Sequence, residues 1–218
     1  RQRMSEAALR AETAKRERLE TQYALLRSRV NPHFLFNSLS TLASLVHVDG
    51  EKSEQFIDRL SAAYRYMLEN RESSTVLLKN ELQFLQSYAF LLETRYGNKF
   101  RLENKVPSKV AARTCVVPLA LQAIVDDALK TNRFSAQSPL VIVLSLETDE
   151  LLLQYHSQPR TVPDRSIGDW DWRLLEQCYS LLLPDHRSVR RRTKNGLFTV
   201  RLPLIAHSVT SNHSATYG

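Results

Sequence analysis

Residues 31–37 read Asn31-Pro32-His33-Phe34-Leu35-Phe36-Asn37, and their register decides how the first half of the chain folds. Pro32 either kinks a helix that arrives from upstream or opens a new one capped by Asn31. From there a helix is expected over residues 33–47, ended by Asp49-Gly50. At about 100° per residue, Leu35, Leu39, Leu42 and Val46 share one face. His33, Asn37, Ser40 and Ser44 share the opposite one. The apolar stripe is expected to be buried and the polar stripe to face solvent. His33 is then an exposed imidazole with a carboxamide one turn away. A neutral imidazole near pH 7 is a competent nucleophile toward a phosphoryl group. Asn37 is placed to hydrogen-bond one ring nitrogen and so fix the tautomer. A surface histidine with no role gives the same pattern.

Upstream, residues 1–30 carry eight Arg or Lys against four Glu and no Gly or Pro. Leu19, Tyr23, Leu26 and Val30 form a short heptad seam, which suits either a coiled coil or a single solvated helix. Downstream, a helix is expected over residues 53–70, with Phe56, Ile57, Leu60, Tyr64, Met67 and Leu68 on its apolar stripe. Helical periodicity resumes near Asn80 through Leu82, Leu85, Tyr88, Leu92 and Tyr96, and Gly97 stops it. After Gly97 the pattern changes. Strands are expected at residues 100–106, 140–146 and 151–156. Helices are expected at 118–130 and 169–183. A hairpin closes around Asn195-Gly196. The second half is thus an α+β sandwich, a mixed or antiparallel sheet with helices on one face. Residues 207–218 are small and polar and are expected to be disordered.

The chain has 218 residues, 43% hydrophobic and 24% charged, which excludes a wholly disordered or disulfide-built protein. Only five glycines occur, none close to another, so the usual glycine-rich phosphate loop cannot be assembled. The net charge of +7 favours anionic partners without specifying one. Cys115 and Cys178 have no metal-ligand spacing and read as core thiols of a reducing compartment. The longest uncharged run, residues 30–48, is too polar for a bilayer core. No signal peptide opens the chain. Its start at Arg1, in mid-pattern, reads as a fragment whose upstream part is missing. Arg187, Arg190, Arg191, Arg192 and Lys194 form a basic cluster that reads as a charge-protected strand edge, with no nucleic acid as partner.

The segment NPHFLFN, residues 31–37, resembles the phosphoacceptor motif of the LytS/YehU-type sensor histidine kinases. Arg59-Leu60-Ser61, Tyr64-Arg65-Tyr66, Glu81-Leu82, Phe84-Leu85, Tyr88 and Arg95 are similar to that family's next helical region. Val117-Pro118-Leu119, Gln122 and residues 124–130 sit where its nucleotide-binding helix begins, and residues 196–204 are similar to its closing strand. The resemblance implies His33 as phosphoacceptor, supported by Asn37, and Mg-ATP as cofactor. It places Asp126, Asp127 and Lys130 in the nucleotide site, with Asp127 where the family has the Asn that coordinates Mg²⁺. An Asp can supply that oxygen, though it adds negative charge beside a triphosphate. The bland reading of both acids is a solvated helix face.

The departures lie in the second half. Where the family has Asp-x-Gly-x-Gly, residues 155–160 are Tyr155-His156-Ser157-Gln158-Pro159-Arg160, without acid or glycine. Where it has a glycine-rich lid, Gly168 stands alone beside Trp170 and Trp172. The expectation is a helical dimerisation and phosphoacceptor hairpin at residues 31–98, preceded by a juxtamembrane or coiled-coil helix at 1–30. A degenerate ATPase-like domain follows at 99–206. Two copies, or this chain and a related kinase, would pair into a four-helix bundle. The implied protein is the part of a two-component sensor that lies on the cytoplasmic face of the inner membrane. It would be a pseudokinase with weak or absent Mg-ATP binding, passing phosphate from His33 to a response regulator. Two alternatives stand beside it: a non-catalytic dimeric interaction module, and an active kinase in which Asp127 holds Mg²⁺ and Trp170 or Trp172 stacks on adenine.

Overall fold

The structure is a computed structural model and describes residues 32–70, 72–164, 167, 172–183 and 187–206. The expected heptad seam, the cap at Asn31, Gly168, Trp170 and the tail at 207–218 lie outside the described residues. Among the described residues, three helices come first: α1 (Pro32–Val46), α2 (Gly50–Glu69) and, after the short strand β1 (Val76–Leu77), α3 (Leu78–Tyr96). Asp49-Gly50 does more than end α1. The Asp49 side chain accepts from the Lys52 amide at 2.9 Å, so α2 starts at Gly50, earlier than the apolar stripe predicts. Gly97 closes α3 with φ +60°, a conformation that favours glycine.

The remaining elements are β2 (Phe100–Asn104), α4 (Ser108–Ala111), β3 (Thr114–Val116), α5 (Ala120–Thr131), β4 (Leu140–Glu147), β5 (Glu150–His156), α6 (Trp172–Leu182), β6 (Arg190–Lys194), β7 (Leu197–Pro203) and β8 (Ile205–Ala206). Five strands form one sheet in the order β2-β4-β5-β7-β6. Among the described strands of this sheet only β2 and β4 run parallel, so of the two expected forms, mixed or antiparallel, the sheet is mixed. Asn195 and Gly196, at φ +52° and +77°, make the two-residue turn between β6 and β7. A small sheet β1-β3-β8 ties the first half of the chain to its end.

One face of the large sheet is apolar by alternation. Leu140, Ile142 and Leu144 of β4 are buried with Leu151, Leu153 and Tyr155 of β5 and Val200 and Leu202 of β7. Buried residues of α3, α5 and α6 belong to the same core, among them Leu85, Leu121, Ile124, Leu175 and Tyr179. At the other side, Arg201 bridges Glu147 and Glu150 at 2.6 and 3.1 Å, and Arg190 holds Glu150 at 2.6 Å. Helix α3 is buried on two sides because it packs against α2 and also against α5, β2 and β3.

Candidate functional site

His33 is exposed at the start of α1, with Ser40 and Ser44 exposed along the same face and Asn37 half-buried between them. That face therefore turns outward as its spacing predicts. The inward face differs from the expectation. Phe34 and Ser38 are buried, whereas Leu39 and Val46 of the apolar stripe are 47% and 53% exposed. The contact of α1 with α2 and α3 is thus rotated by about 100° from the stripe of Leu35, Leu39, Leu42 and Val46. The cause is aromatic. The Phe34 ring lies 5.0 Å from Tyr88 of α3 and 6.0 Å from Tyr64 of α2, centroid to centroid. Helix α2 shows the same division. Phe56 and Ala63 are buried, and Ile57 and Leu68 are 47% and 58% exposed.

Two carboxylates, one buried and one half-buried, join these helices to α5. Glu81 of α3 accepts from the Tyr66 hydroxyl of α2 at 2.5 Å. It also accepts from the Leu119 and Leu121 amides, at 3.1 and 3.2 Å, at the N-terminus of α5. Leu119, at φ +61°, has no polar side-chain atom to cap the helix, and Glu81 does the capping from another helix. Burial lifts the Glu81 carboxyl to about 7, against the pull of its three hydrogen bonds. The sequence carried one signal for this role. Glu81, Phe84 and Tyr88 are spaced three and four apart, which puts an acid on an aromatic face of α3.

The second carboxylate is Asp126. It accepts from the Tyr88 hydroxyl and, at 3.4 Å, from the Gln122 side-chain amide. Burial lifts this carboxyl also to about 7, with the two hydrogen bonds opposing and the charge of Asp127 adding. Asp126 is therefore neither on a solvated face nor beside Asp127 in a shared ligand set. It is directed into the contact between α3 and α5.

Asp127, 100° further round the helix, meets other groups. Burial raises its carboxyl, and the Trp172 side chain, Arg191 and Lys130 counter that rise. The Arg191 guanidinium lies 4.5 Å above the Trp172 ring and binds Glu176 at 3.2 Å. Trp172 is thus stacked on an arginine of β6. Lys130 is half-buried near Asp127, and its backbone carbonyl accepts from the Asp164 amide at 3.0 Å.

The segment lacking Asp and Gly is a hydrogen-bonded strap over the C-terminal end of α5. Asn132, 2% exposed, accepts through Oδ1 from the Gln158 amide at 2.8 Å and from Ser157 Oγ at 3.3 Å. Arg160 donates from Nε to the Asn132 carbonyl at 2.6 Å and from its backbone amide to the Thr131 carbonyl at 2.8 Å. Its guanidinium also lies over the Phe134 ring. Among the described residues, no group of three or more His, Cys, Asp or Glu is arranged to hold a metal ion. Nor is any described helix long and apolar enough to cross a membrane.

Residues 21–100, which carry the His33 helix, match the family described as histidine kinase. The sensor protein LytS of Staphylococcus saprophyticus is 35% identical over 123 residues, 51% of this chain and 20% of that protein. This stretch is similar to a LytS-type sensor histidine kinase. The sensor histidine kinase/phosphatase LytS of Staphylococcus aureus strain MRSA252 is 32% identical over 126 residues, 56% of this chain and 21% of that one. The chain thus spans about a fifth of the length of these relatives. The solved structure of the Acinetobacter baumannii histidine kinase AdeS covers 74% of this chain and 82% of its own at 12% identity and a TM-score of 0.36.

Proposed function

We propose that this chain is the phosphoacceptor part of a two-component sensor whose ATPase-like domain has lost its nucleotide site. The hairpin at residues 31–98 carries the acceptor, and residues 99–206 form the degenerate domain. One observation carries the reading: His33 is exposed on the outward face of α1, and Asp126 and Asp127, expected to hold Mg-ATP, are engaged with the protein itself. Asp127 is matched by Trp172 and Arg191, Asp126 by Tyr88 and Gln122, and the strap at residues 157–164 lies on the end of α5. These residues, turned to protein partners, do not fit a magnesium triphosphate.

His33 acts as a nucleophile toward phosphate supplied by a partner kinase. The imidazole lone pair forms an N–P bond as the donor's P–O bond breaks, and the donor oxygen keeps that electron pair. The carboxylate of a response-regulator aspartate then attacks the same phosphorus, and the N–P electrons return to the ring. Asn37 steadies the ring from one turn away. Leu39, Val46, Ile57 and Leu68 are the open apolar positions through which two hairpins, of this chain or of a related kinase, would pair into a four-helix bundle. The whole protein would be membrane-anchored through a segment outside this sequence, with this part at the cytoplasmic face.

Two measurements test this. Isothermal titration with Mg-ATP is expected to give no heat up to millimolar nucleotide from the folded chain. Micromolar binding that Asp127→Ala abolishes would restore an active kinase. Phosphate uptake from candidate partner kinases is expected to vanish in His33→Ala. Equal uptake by parent and variant would remove His33 as the acceptor, and normal signalling by that variant in cells would leave a non-catalytic dimeric module.

A further inference from the structure

We infer that Tyr88 and Asp126 are positioning residues for the His33 helix, Asp126 tethering the Tyr88 ring and that ring seating Phe34, so that α5 sets where α1 presents His33. The inference rests on the reading above only for the role of His33. Its basis is a continuous line of contacts. Phe34 follows His33 directly in the chain and is 8% exposed. Its ring meets Tyr88 at 5.0 Å with a 41° tilt. Tyr88 is 2% exposed, backed by Phe84 at 5.9 Å, and its hydroxyl reaches Asp126 on α5. Held at the hydroxyl end as well as at Cα, the ring cannot swing to another rotamer, so its face toward Phe34 is fixed.

Tyr88 and Gln122 hydrogen-bond the Asp126 carboxyl, and Asp127 adds a like charge beside it. Desolvation of that carboxyl opposes folding, and a leucine here would avoid the cost. What Asp126 supplies is a fixed acceptor for one hydroxyl. The second bridge, from Tyr66 through Glu81 to the start of α5, ties α2 to the same helix. Helices α1 and α2 are thus both referenced to α5, α2 through Tyr66 and Glu81 and α1 through Tyr88.

The test uses the purified chain without any phosphoryl donor, so its result is independent of whether His33 is ever phosphorylated. Hydrogen exchange of the α1 amides is compared in the parent, Tyr88→Phe, Asp126→Leu and Asp126→Asn, alongside the imidazole proton signals of His33 and His156. Tyr88→Phe and Asp126→Leu are expected to speed α1 exchange about tenfold, the low end for loss of a hydrogen bond to a charged acceptor. They should also shift or broaden the His33 signals while those of His156, exposed at the end of β5, stay in place. Asp126→Asn keeps an acceptor oxygen and should restore both readouts to near the parent. Combining Tyr88→Phe with Asp126→Leu should add nothing further. Unchanged α1 exchange and unchanged His33 signals in both single variants would overturn the inference. So would a uniform rise in exchange across α1 and the sheet. If Asp126→Leu does not fold, Tyr88→Phe, which removes a single oxygen, still decides it.

Discussion

Replacing Glu81 with glutamine separates two effects that the native side chain combines. The carboxylate is fully buried and accepts three hydrogen bonds, from the Tyr66 hydroxyl and the Leu119 and Leu121 amides. Burial lifts its carboxyl from 4.5 to about 7. Because the folded value lies above the unfolded one, proton uptake favours the folded state. That contribution is whole below about pH 4.5 and is lost as the pH rises through about 7. Its ceiling is roughly 3 kcal/mol, at about 1.4 kcal/mol per pH unit of displacement. Glutamine offers one acceptor oxygen and one NH₂ group, so one or two of the three donors face another donor. That costs about 1–2 kcal/mol at any pH. Near pH 5.5, where the native carboxyl is already neutral, Glu81→Gln is expected to be less stable than the parent by about that amount. Near pH 8 the variant no longer buries a charge, and the deficit should shrink to nothing or reverse. Urea denaturation of both proteins at the two pH values reads this directly from the midpoints and slopes. A deficit equal at both pH values, or larger at pH 8, would refute the reasoning.

Three further outcomes follow from the geometry. Leu39→Glu and Leu68→Glu place a charge at exposed positions, so each should leave monomer stability within about 0.5 kcal/mol while converting a dimer to monomer in sedimentation equilibrium. An unchanged mass in both would exclude this face as the dimer contact. Arg160→Ala removes the donor to the Asn132 carbonyl and the partner of Phe134. It should cost about 1–3 kcal/mol and open residues 157–164 to limited proteolysis ahead of the sheet; equal cleavage rates would mean the strap is held by its other bonds. Gly196→Ala puts a side chain at φ +77° and should lower stability by about 1 kcal/mol, read as a shift in thermal midpoint. No shift would show that the β6–β7 turn relaxes freely.

The outward face of α1 was legible in the sequence because His33, Asn37, Ser40 and Ser44 follow the helical period, and that period is a local property of the backbone. The turn at Asn195-Gly196 was legible for the same reason, since only residues tolerant of positive φ suit a two-residue hairpin. The short strands β1, β3 and β8 left no such trace. Two or three residues are too few to show alternation, and their pairing joins positions as distant as Thr114 and Ala206. The inward face of α1 was misread because an apolar stripe reports that something apolar covers it, without saying what. Within the chain α1 packs through Phe34, and Leu39 and Val46 of the stripe stay exposed.

Asp126 and Asp127 mark the same boundary most sharply. Residue type and resemblance place both acids at the nucleotide position, and nothing local distinguishes two adjacent aspartates on one helix. The missing Asp-x-Gly-x-Gly pattern was visible once the resemblance pointed to residues 155–160, which hold neither acid nor glycine, and the five scattered glycines agree with it. By itself, then, the sequence determined the His33 face, the helix-then-sheet order and the absence of a glycine loop. Each of these depends on residue identity or on short-range geometry. Only the tertiary structure decided that Asp126 turns to Tyr88 while Asp127 turns to Trp172 and Arg191, and that Glu81 caps a helix 38 residues away. A side chain's partner across a helix contact depends on which wall stands within about 3 Å of it, and that wall is built by residues far along the chain.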